Sequence, residues 1–184
     1  DFKKRLPPDV LKKGVPSQGR AVFEKTCASC HRLFDAGKAI ADLLIEMKAK
    51  TIQASQAGLD SESYAALNQE FTSLRDQVNA IVASAEFNGK NLIQSASTNM
   101  EVLSTVDGST ITIAKQSLDS TSLSIHTASL SNATVAGTAL AAITAAIISV
   151  SSALAGLGSS AKRVDIQTEF TGKLQDILKQ GVGN

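Results

Sequence analysis

The sequence predicts a mainly α-helical protein, an elongated rod or bundle of long helices with heptad seams and one small β-hairpin region. Apolar residues recur at alternating spacings of three and four over two long stretches, and an Asp-Gly turn signal lies between them. All three prolines fall within the first sixteen residues. Only 4% of the residues are aromatic although 43% are hydrophobic, which suits closely packed helices better than a pocket lined by large rings.

The net charge of +1 gives no electrostatic case for a nucleic-acid partner or an anionic membrane. The apolar run 139–150 is too short to span a bilayer. The chain has no Ser/His/Asp order, no phosphate-binding loop and no clustered metal ligands. We therefore expect a protein that is not an enzyme and that contacts neither nucleic acid nor a membrane.

The first sixteen residues predict a loop, after which Ser17 caps a helix over residues 18–34. A helical hairpin follows, with residues 37–57 packed against residues 61–85, and Asp60 or Ser61 caps its second helix. The apolar face of the first helix comprises Ile40, Leu43, Leu44, Met47, Thr51 and Ala54. The seam of the second comprises Tyr64, Leu67, Phe71, Leu74, Val78 and Ile81.

The pattern changes after Asn88–Gly89, where short alternating segments predict a β-hairpin at about residues 100–115. Ile111 and Ile113 fall on one face of its second strand. Residues 116–132 are rich in Ser and Thr and predict irregular structure.

A last long helix begins near Ala133 or Val135. Its seam comprises Leu140, Ile143, Ile147, Val150, Leu154, Leu157, Ala161 and Val164, and a shift of phase then brings in Phe170, Leu174 and Ile177. Gly156 and Gly158 would each cost roughly 1 kcal/mol in a helix interior relative to Ala, so the sequence allows a kink or break there.

Two segments resemble bacterial flagellin. Residues 39–93, which include SAEFNGKNL at 84–92, are similar to the helical rod of the filament's outer core, and residues 139–184 are similar to its returning C-terminal helix. The resemblance covers about residues 36–184. It implies an extracellular structural subunit of the bacterial flagellar filament, involved in motility, whose partners are other flagellin subunits and a flagellar export chaperone. It also implies a trimmed rod without the terminal polymerisation segments.

The N-terminal segment, about residues 6–34, instead resembles the start of a class I c-type cytochrome. It contains the CxxCH motif Cys27–Ala28–Ser29–Cys30–His31, preceded by Gly19 and Phe23. Two thiols one helical turn apart can add to the haem vinyl groups, and the following imidazole can ligate the iron. The alternative hypothesis is therefore a haem-binding electron-transfer protein, with haem c on Cys27 and Cys30 and with His31 as an axial iron ligand.

Several observations weigh against haem, and we expect no cofactor. The haem iron would need a second axial ligand, and the candidates are Met47, Met100 and His126. Met47 lies on the hairpin seam and Met100 in a predicted strand, so both are expected in the core, and His126 lies in the irregular region and is expected at the surface. A zinc site would need two further ligands, and a redox pair would need a thioredoxin-like context. The abrupt junction between Phe34 and Ala36 indicates a chimera of a cytochrome-like and a flagellin-like piece. The sequence divides into a cytochrome c-like segment (1–35), a flagellin-like helical hairpin (36–92), a β-hairpin with a Ser/Thr-rich loop (93–132) and a flagellin-like C-terminal helix (133–184).

Overall fold

The computed structural model describes residues 28–86, 89–104 and 108–182, and of residues 28–34 and 182 it describes the backbone alone. Three helices and two strands follow one another in these residues. They are α1 (Ala28–Ala54), α2 (Ser61–Ser84), β1 (Met100–Leu103), β2 (Thr110–Ile113) and α3 (Ala133–Val182). The predicted mainly α fold with a small β-hairpin is confirmed. The helix predicted over residues 18–34 and its Ser17 cap lie largely outside the described residues.

Helices α1 and α2 form the predicted helical hairpin. Gly58, at φ +93°, lies in the turn between them, where the left-handed backbone favours glycine. Asp60 is the N-cap of α2, and its carboxylate accepts a hydrogen bond from Ser63 N at 2.7 Å. The buried positions follow the predicted faces, because Ile40, Leu44, Met47, Thr51 and Ala54 of α1 and Phe71 and Val78 of α2 are fully buried.

Helix α3 packs along α1 and runs antiparallel to it. Just before α3 begins, Leu130 N donates to Asn68 Oδ1 at 2.8 Å, close to the point where Lys50 Nζ pairs with Glu70. Further along, Leu154 lies against Gly37, where an added Cβ would overlap the leucine side chain. As α3 advances from residue 133 to 154, its neighbours in α1 thus move backwards from about residue 50 to residue 37.

The β-hairpin is antiparallel, with Met100 opposite Ile113 and Leu103 opposite Thr110. Ile111 and Ile113 are both buried, as their shared face predicts. Gly108 has φ +92°, and Ser104 N donates to Ser109 O at 2.7 Å across the turn. The hairpin lies against the second half of α3, because Gln167 Nε2 donates to Ser104 O at 2.6 Å.

The segment between β2 and α3 has no helix or strand, as predicted, but it contributes to the core. Leu118, Leu123, Ile125 and Leu130 are all buried. Side chains of α2 hold its backbone: Asn79 Oδ1 accepts from Ser120 N at 2.9 Å, and Arg75 Nη1 donates to His126 O at 2.8 Å. These bonds satisfy backbone groups that no strand partner satisfies.

The break allowed at Gly156 and Gly158 does not occur, since α3 is one continuous helix of 50 residues. On the α1 side, Val150, Ala153 and Leu157 stay buried through this region. The apolar contact continues across the glycines, which offsets their low helix propensity.

Candidate functional site

The haem-attachment motif falls at the edge of the described residues. Cys27 lies outside them, and Cys30 and His31 belong to the first turn of α1, where only the backbone is described. Helix α1 continues without a break across Phe34 and Ala36, the expected junction. The assignment of Cys27, Cys30 and His31 to haem c therefore stays a prediction.

The residues considered as a second iron ligand have other surroundings. Met47 is fully buried in the core formed by the three helices, as expected for a core methionine. Met100 lies in β1 and packs against the same core. His126 is exposed, and its carbonyl accepts a hydrogen bond from Arg75. Met47 and Met100 therefore pack in or against the core of the rod, and His126 lies at its surface.

The clefts in the part of the chain that the structure describes include the following two. One, of about 350 Å³, lies between the β-hairpin and α3 and is lined by Val102, Leu103, Ile111, Val164, Gln167, Thr168, Thr171, Gly172 and Gln175. The other, of about 560 Å³, lies between α1 and α2 and is lined by Glu46, Lys50, Ala66, Gln69, Glu70, Ser73, Leu74 and Gln77. Neither lining contains a His, Cys or Met, so neither matches a haem site.

The acidic residues with altered pKa values have structural partners. Hydrogen bonds from the hydroxyls of Thr110 and Thr112 lower the pKa of Glu101, which ties the two strands together. Burial raises the pKa of Asp119, but the hydrogen bonds from Ser122 and Ser95 and from its own backbone N–H together outweigh burial, so the pKa is lowered. No group of three or more His, Cys, Asp or Glu side chains within the described ranges could hold a metal ion.

The surface feature that stands out is a set of large apolar side chains exposed along the rod. Ile45 and Ile52 lie one above the other on α1, 58% and 48% exposed, and Ile148 of α3 is 63% exposed. Contiguous exposed apolar side chains on a protein surface mark contacts with other proteins. None of these three isoleucines lies on a seam that the sequence predicted. A large apolar residue outside the predicted seams was the signal that could have identified this exposed surface.

A second group, the α3 stripe, consists of Ile166, Phe170, Leu174, Ile177 and Leu178. Their exposed fractions lie between 42% and 64%. The spacing 166–170–174–177 puts four of them on one helical face. The shift of phase in the sequence predicted Phe170, Leu174 and Ile177 as part of an apolar face, but it did not predict that this face would be exposed.

Helix α3 is also long and apolar enough, by length and composition, to cross a membrane. Within the candidate segment Ala133–Gly181, one window of 18 residues has a mean hydropathy of 2.0, and 28% of this window is buried. The core helix of a soluble protein passes the same test, and here one face of α3 packs on α1. The expectation of no membrane contact stays a prediction.

Comparison with known proteins points to one family. Residues 34–98 match the model of the bacterial flagellin N-terminal helical region. The flagellin FljM of Caulobacter vibrioides is 38% identical over 150 residues, which cover 81% of this chain and 55% of that protein. A flagellin of Brucella melitensis is 26% identical over 147 residues, 73% of this chain and 52% of that protein. The chain thus spans about half the length of the curated relatives that it matches.

A crystal structure of Bacillus cereus flagellin superposes with a TM-score of 0.66 at 25% sequence identity, over 75% of this chain and 81% of that one. None of these comparisons supports the cytochrome-like interpretation of residues 6–34. Family model, relatives and solved structure agree that the matched part of the chain is similar to bacterial flagellins.

Proposed function

We propose that the rod formed by α1, α2 and α3 is the outer-core part of a structural subunit of the bacterial flagellar filament. In this role the protein is extracellular, acts in motility, has no catalytic activity and binds other flagellin subunits. The observation that carries the proposal is the match of residues 34–98 to the flagellin N-terminal helical region, combined with the return of α3 along α1.

The surface of the rod supports this proposal. A filament subunit needs faces that pack against identical subunits, and a heterologous contact between such faces can repeat without closing. Ile45 and Ile52 on α1 and Ile148 on α3 provide exposed apolar side chains of the kind that such contacts bury. The export chaperone has no separate observation behind it and stays a prediction.

A graft into a related flagellin tests the proposal. Residues 36–184 would replace the corresponding rod of Caulobacter vibrioides FljM in a strain that lacks its own flagellins. We expect filaments by electron microscopy and partial swimming. A graft carrying Ile52→Asp and Ile148→Asp should be exported and folded but should form few or no filaments, since burying an unpaired carboxylate is costly.

Substitution of exposed polar residues serves as the matched control. Gln53→Asp and Ser149→Asp add the same charges next to the two isoleucines and should leave filaments intact. A graft that is exported, folds and yet never polymerises would contradict the proposed function. So would filaments that tolerate both aspartates at 52 and 148.

The haem hypothesis is tested on the full chain by intact-mass spectrometry and visible absorbance. We expect the mass of the unmodified polypeptide and no haem absorbance, because neither cleft described above is lined by a His, Cys or Met that could ligate the iron. A mass raised by one haem that persists after denaturation would instead assign thioether bonds to Cys27 and Cys30.

A further inference from the structure

The α3 stripe lies on the part of α3 that extends beyond its described partners. Leu154 is opposite Gly37 of α1, and α3 continues for 28 residues to Val182, a length of about 42 Å at 1.5 Å per residue. The β-hairpin contacts this extension through Val164 and Gln167. Every described side chain from 168 to 181 is exposed.

The stripe and the hairpin contact are neighbours around the helix. At 100° per residue, Ile166, Phe170, Leu174 and Ile177 cluster within about 80° of arc, and Leu178 lies about 40° beyond Leu174. Gln167, at the level of this outer edge, and Val164 face the hairpin cleft. The hairpin thus borders one edge of the stripe, and the side chains of the stripe stay exposed beside it.

The charges that border the stripe are self-complementary. Glu169 and Lys173 lie along the same edge of the stripe, where Lys173 Nζ pairs with Glu169 Oε1 at 2.7 Å within the helix. When two identical helices pack antiparallel, the same edges face each other. If Thr171, one residue from the midpoint of the stripe, is level with the two-fold axis, Glu169 of each copy lies opposite Lys173 of the other.

A parallel pairing lacks this complementarity. It would bring the Glu169–Lys173 edge against the opposite edge of the second helix, which carries Gln167 and Thr171 and no charge near the centre. The arrangement of charges thus favours the antiparallel orientation.

The area is sufficient for a specific but weak interface. Each large side chain of the stripe exposes roughly 100 Å², so two facing stripes bury on the order of 1,000 Å². That value is at the lower limit for specific protein–protein interfaces.

We propose that two copies of the chain pair in antiparallel orientation through the α3 stripe, with Glu169 of each copy opposite Lys173 of the other. The pair goes beyond the function proposed above. An isologous contact closes on itself and does not extend into a filament, so the dimer is a form of the free chain and is separate from the filament contact.

Sedimentation velocity of the full chain, in reductant because of Cys27 and Cys30, measures the association over a concentration series. We expect a reversible monomer–dimer equilibrium. The double variant Phe170→Ser/Ile177→Ser should weaken dimerisation about tenfold or more. Ile148→Ser is the matched control, since it removes an equally exposed isoleucine from the same helix outside the stripe, and it should leave the dimer unchanged.

Charge reversal tests the orientation without removing apolar surface. Glu169→Lys and Lys173→Glu should each weaken dimerisation when studied alone, because like charges then face each other. Mixing the two variants in equal amounts should restore it, since each copy then meets the opposite charge. Both variants lose the pair within the helix, alone or mixed, so restoration reports only the contact between copies.

Three results would overturn the proposal. The chain could stay monomeric at all attainable concentrations. Protection of the stripe from hydrogen exchange in such a monomer would mean that residues 1–27 cover it. The Phe170→Ser/Ile177→Ser variant could dimerise as well as the original chain, which would place the contact elsewhere. The mixed charge variants could fail to restore association. None of these results bears on the filament graft, so the two proposals fail independently.

Discussion

At the scale of single residues, asparagine side chains accept hydrogen bonds from backbone N–H groups of the segment before α3. In a β-sheet, carbonyl groups of a neighbouring strand would accept these bonds. Asn68 and Asn79 on α2 each accept a hydrogen bond from a backbone N–H of this segment, at Leu130 and Ser120. Asn132 then ends it as the N-cap of α3, because its Oδ1 accepts from Val135 N at 2.9 Å. These side chains fix where α3 starts relative to α2.

The first prediction concerns this cap. Asn132→Ala should lower the free energy of unfolding by about 1 kcal/mol, since the substitution leaves Val135 N without its side-chain acceptor. Urea denaturation followed by circular dichroism measures the loss. Asn132→Ser, which keeps an acceptor, should retain most of the stability, and an equal loss in both variants would mean that the cap contributes nothing.

The second prediction concerns pH. The hydrogen bond from Ser63 N is the main cause of the lowered pKa of Asp60, which lies below its usual 3.8 in the folded protein. A carboxyl group with a lowered folded pKa stabilises the fold above the unfolded pKa, and this contribution is lost as the pH falls through the folded value. We therefore expect stability to decline at acidic pH in part through Asp60.

Asp60→Asn isolates that contribution, because asparagine also caps helices but does not titrate in this range. The unfolding midpoint of both proteins would be compared from about pH 6 to about pH 2. We expect a smaller decline in the variant. Identical pH profiles would show that Asp60 is not a source of the acid sensitivity.

At the scale of secondary-structure elements, Gly37 of α1 leaves room for the side chain of Leu154 of α3. The glycine is buried, and a Cβ at its position would overlap Leu154. The sequence pattern did not predict this contact, because apolar spacing identifies which face is buried but not how close two helices come. The absence of a Cβ at Gly37 provides the space that the leucine side chain occupies.

The third prediction follows from this contact. Gly37→Val should destabilise the protein by about 1–3 kcal/mol, because the added methyl groups overpack the contact with Leu154. Combining it with Leu154→Ala should recover part of the loss, so that the double variant is more stable than the sum of the two single losses predicts. Strict additivity of the two losses would contradict a direct contact between the two positions.

Other elements divide into those that the sequence determines locally and those that depend on tertiary contacts. The α1–α2 hairpin and the β-hairpin were predicted correctly, and Asp60 was one of the two predicted caps, because each has a local signal in periodicity, capping or turn residues. The core side chains of the segment before α3, such as Leu118 and Ile125, were missed. Their spacing has no period, and their burial depends on hydrogen bonds from α2 that sequence alone does not indicate.

At the scale of the whole molecule, the same distinction separates the two parts of α3. Apolar spacing is equally clear in both, yet positions such as Val150 and Leu157 are buried against α1 while Phe170 and Ile177 are exposed. A periodic pattern predicts that a face needs a partner, but it does not identify the partner. The candidate surface could therefore be predicted as an apolar face, and its exposure could not.

The last prediction concerns how stability varies along this helix. Between residues 139 and 157, α3 buries Ile143 and Val150 completely, so its amides should open only with the whole core. Between residues 168 and 181 no described side chain is buried, and local opening there should cost much less free energy. Hydrogen exchange followed by mass spectrometry, at concentrations where the chain is monomeric, should show the second region exchanging far faster.

Concentration provides the discriminating comparison. If the α3 stripe pairs between copies, raising the concentration should slow exchange over 168–181 and leave 139–157 unchanged, because only the stripe gains a partner. The Phe170→Ser/Ile177→Ser variant should lose this dependence and retain slow exchange in the core. Slow exchange over 168–181 at every concentration would mean that this part of α3 is already covered within one chain, and the stability of the rod would then be uniform along its length.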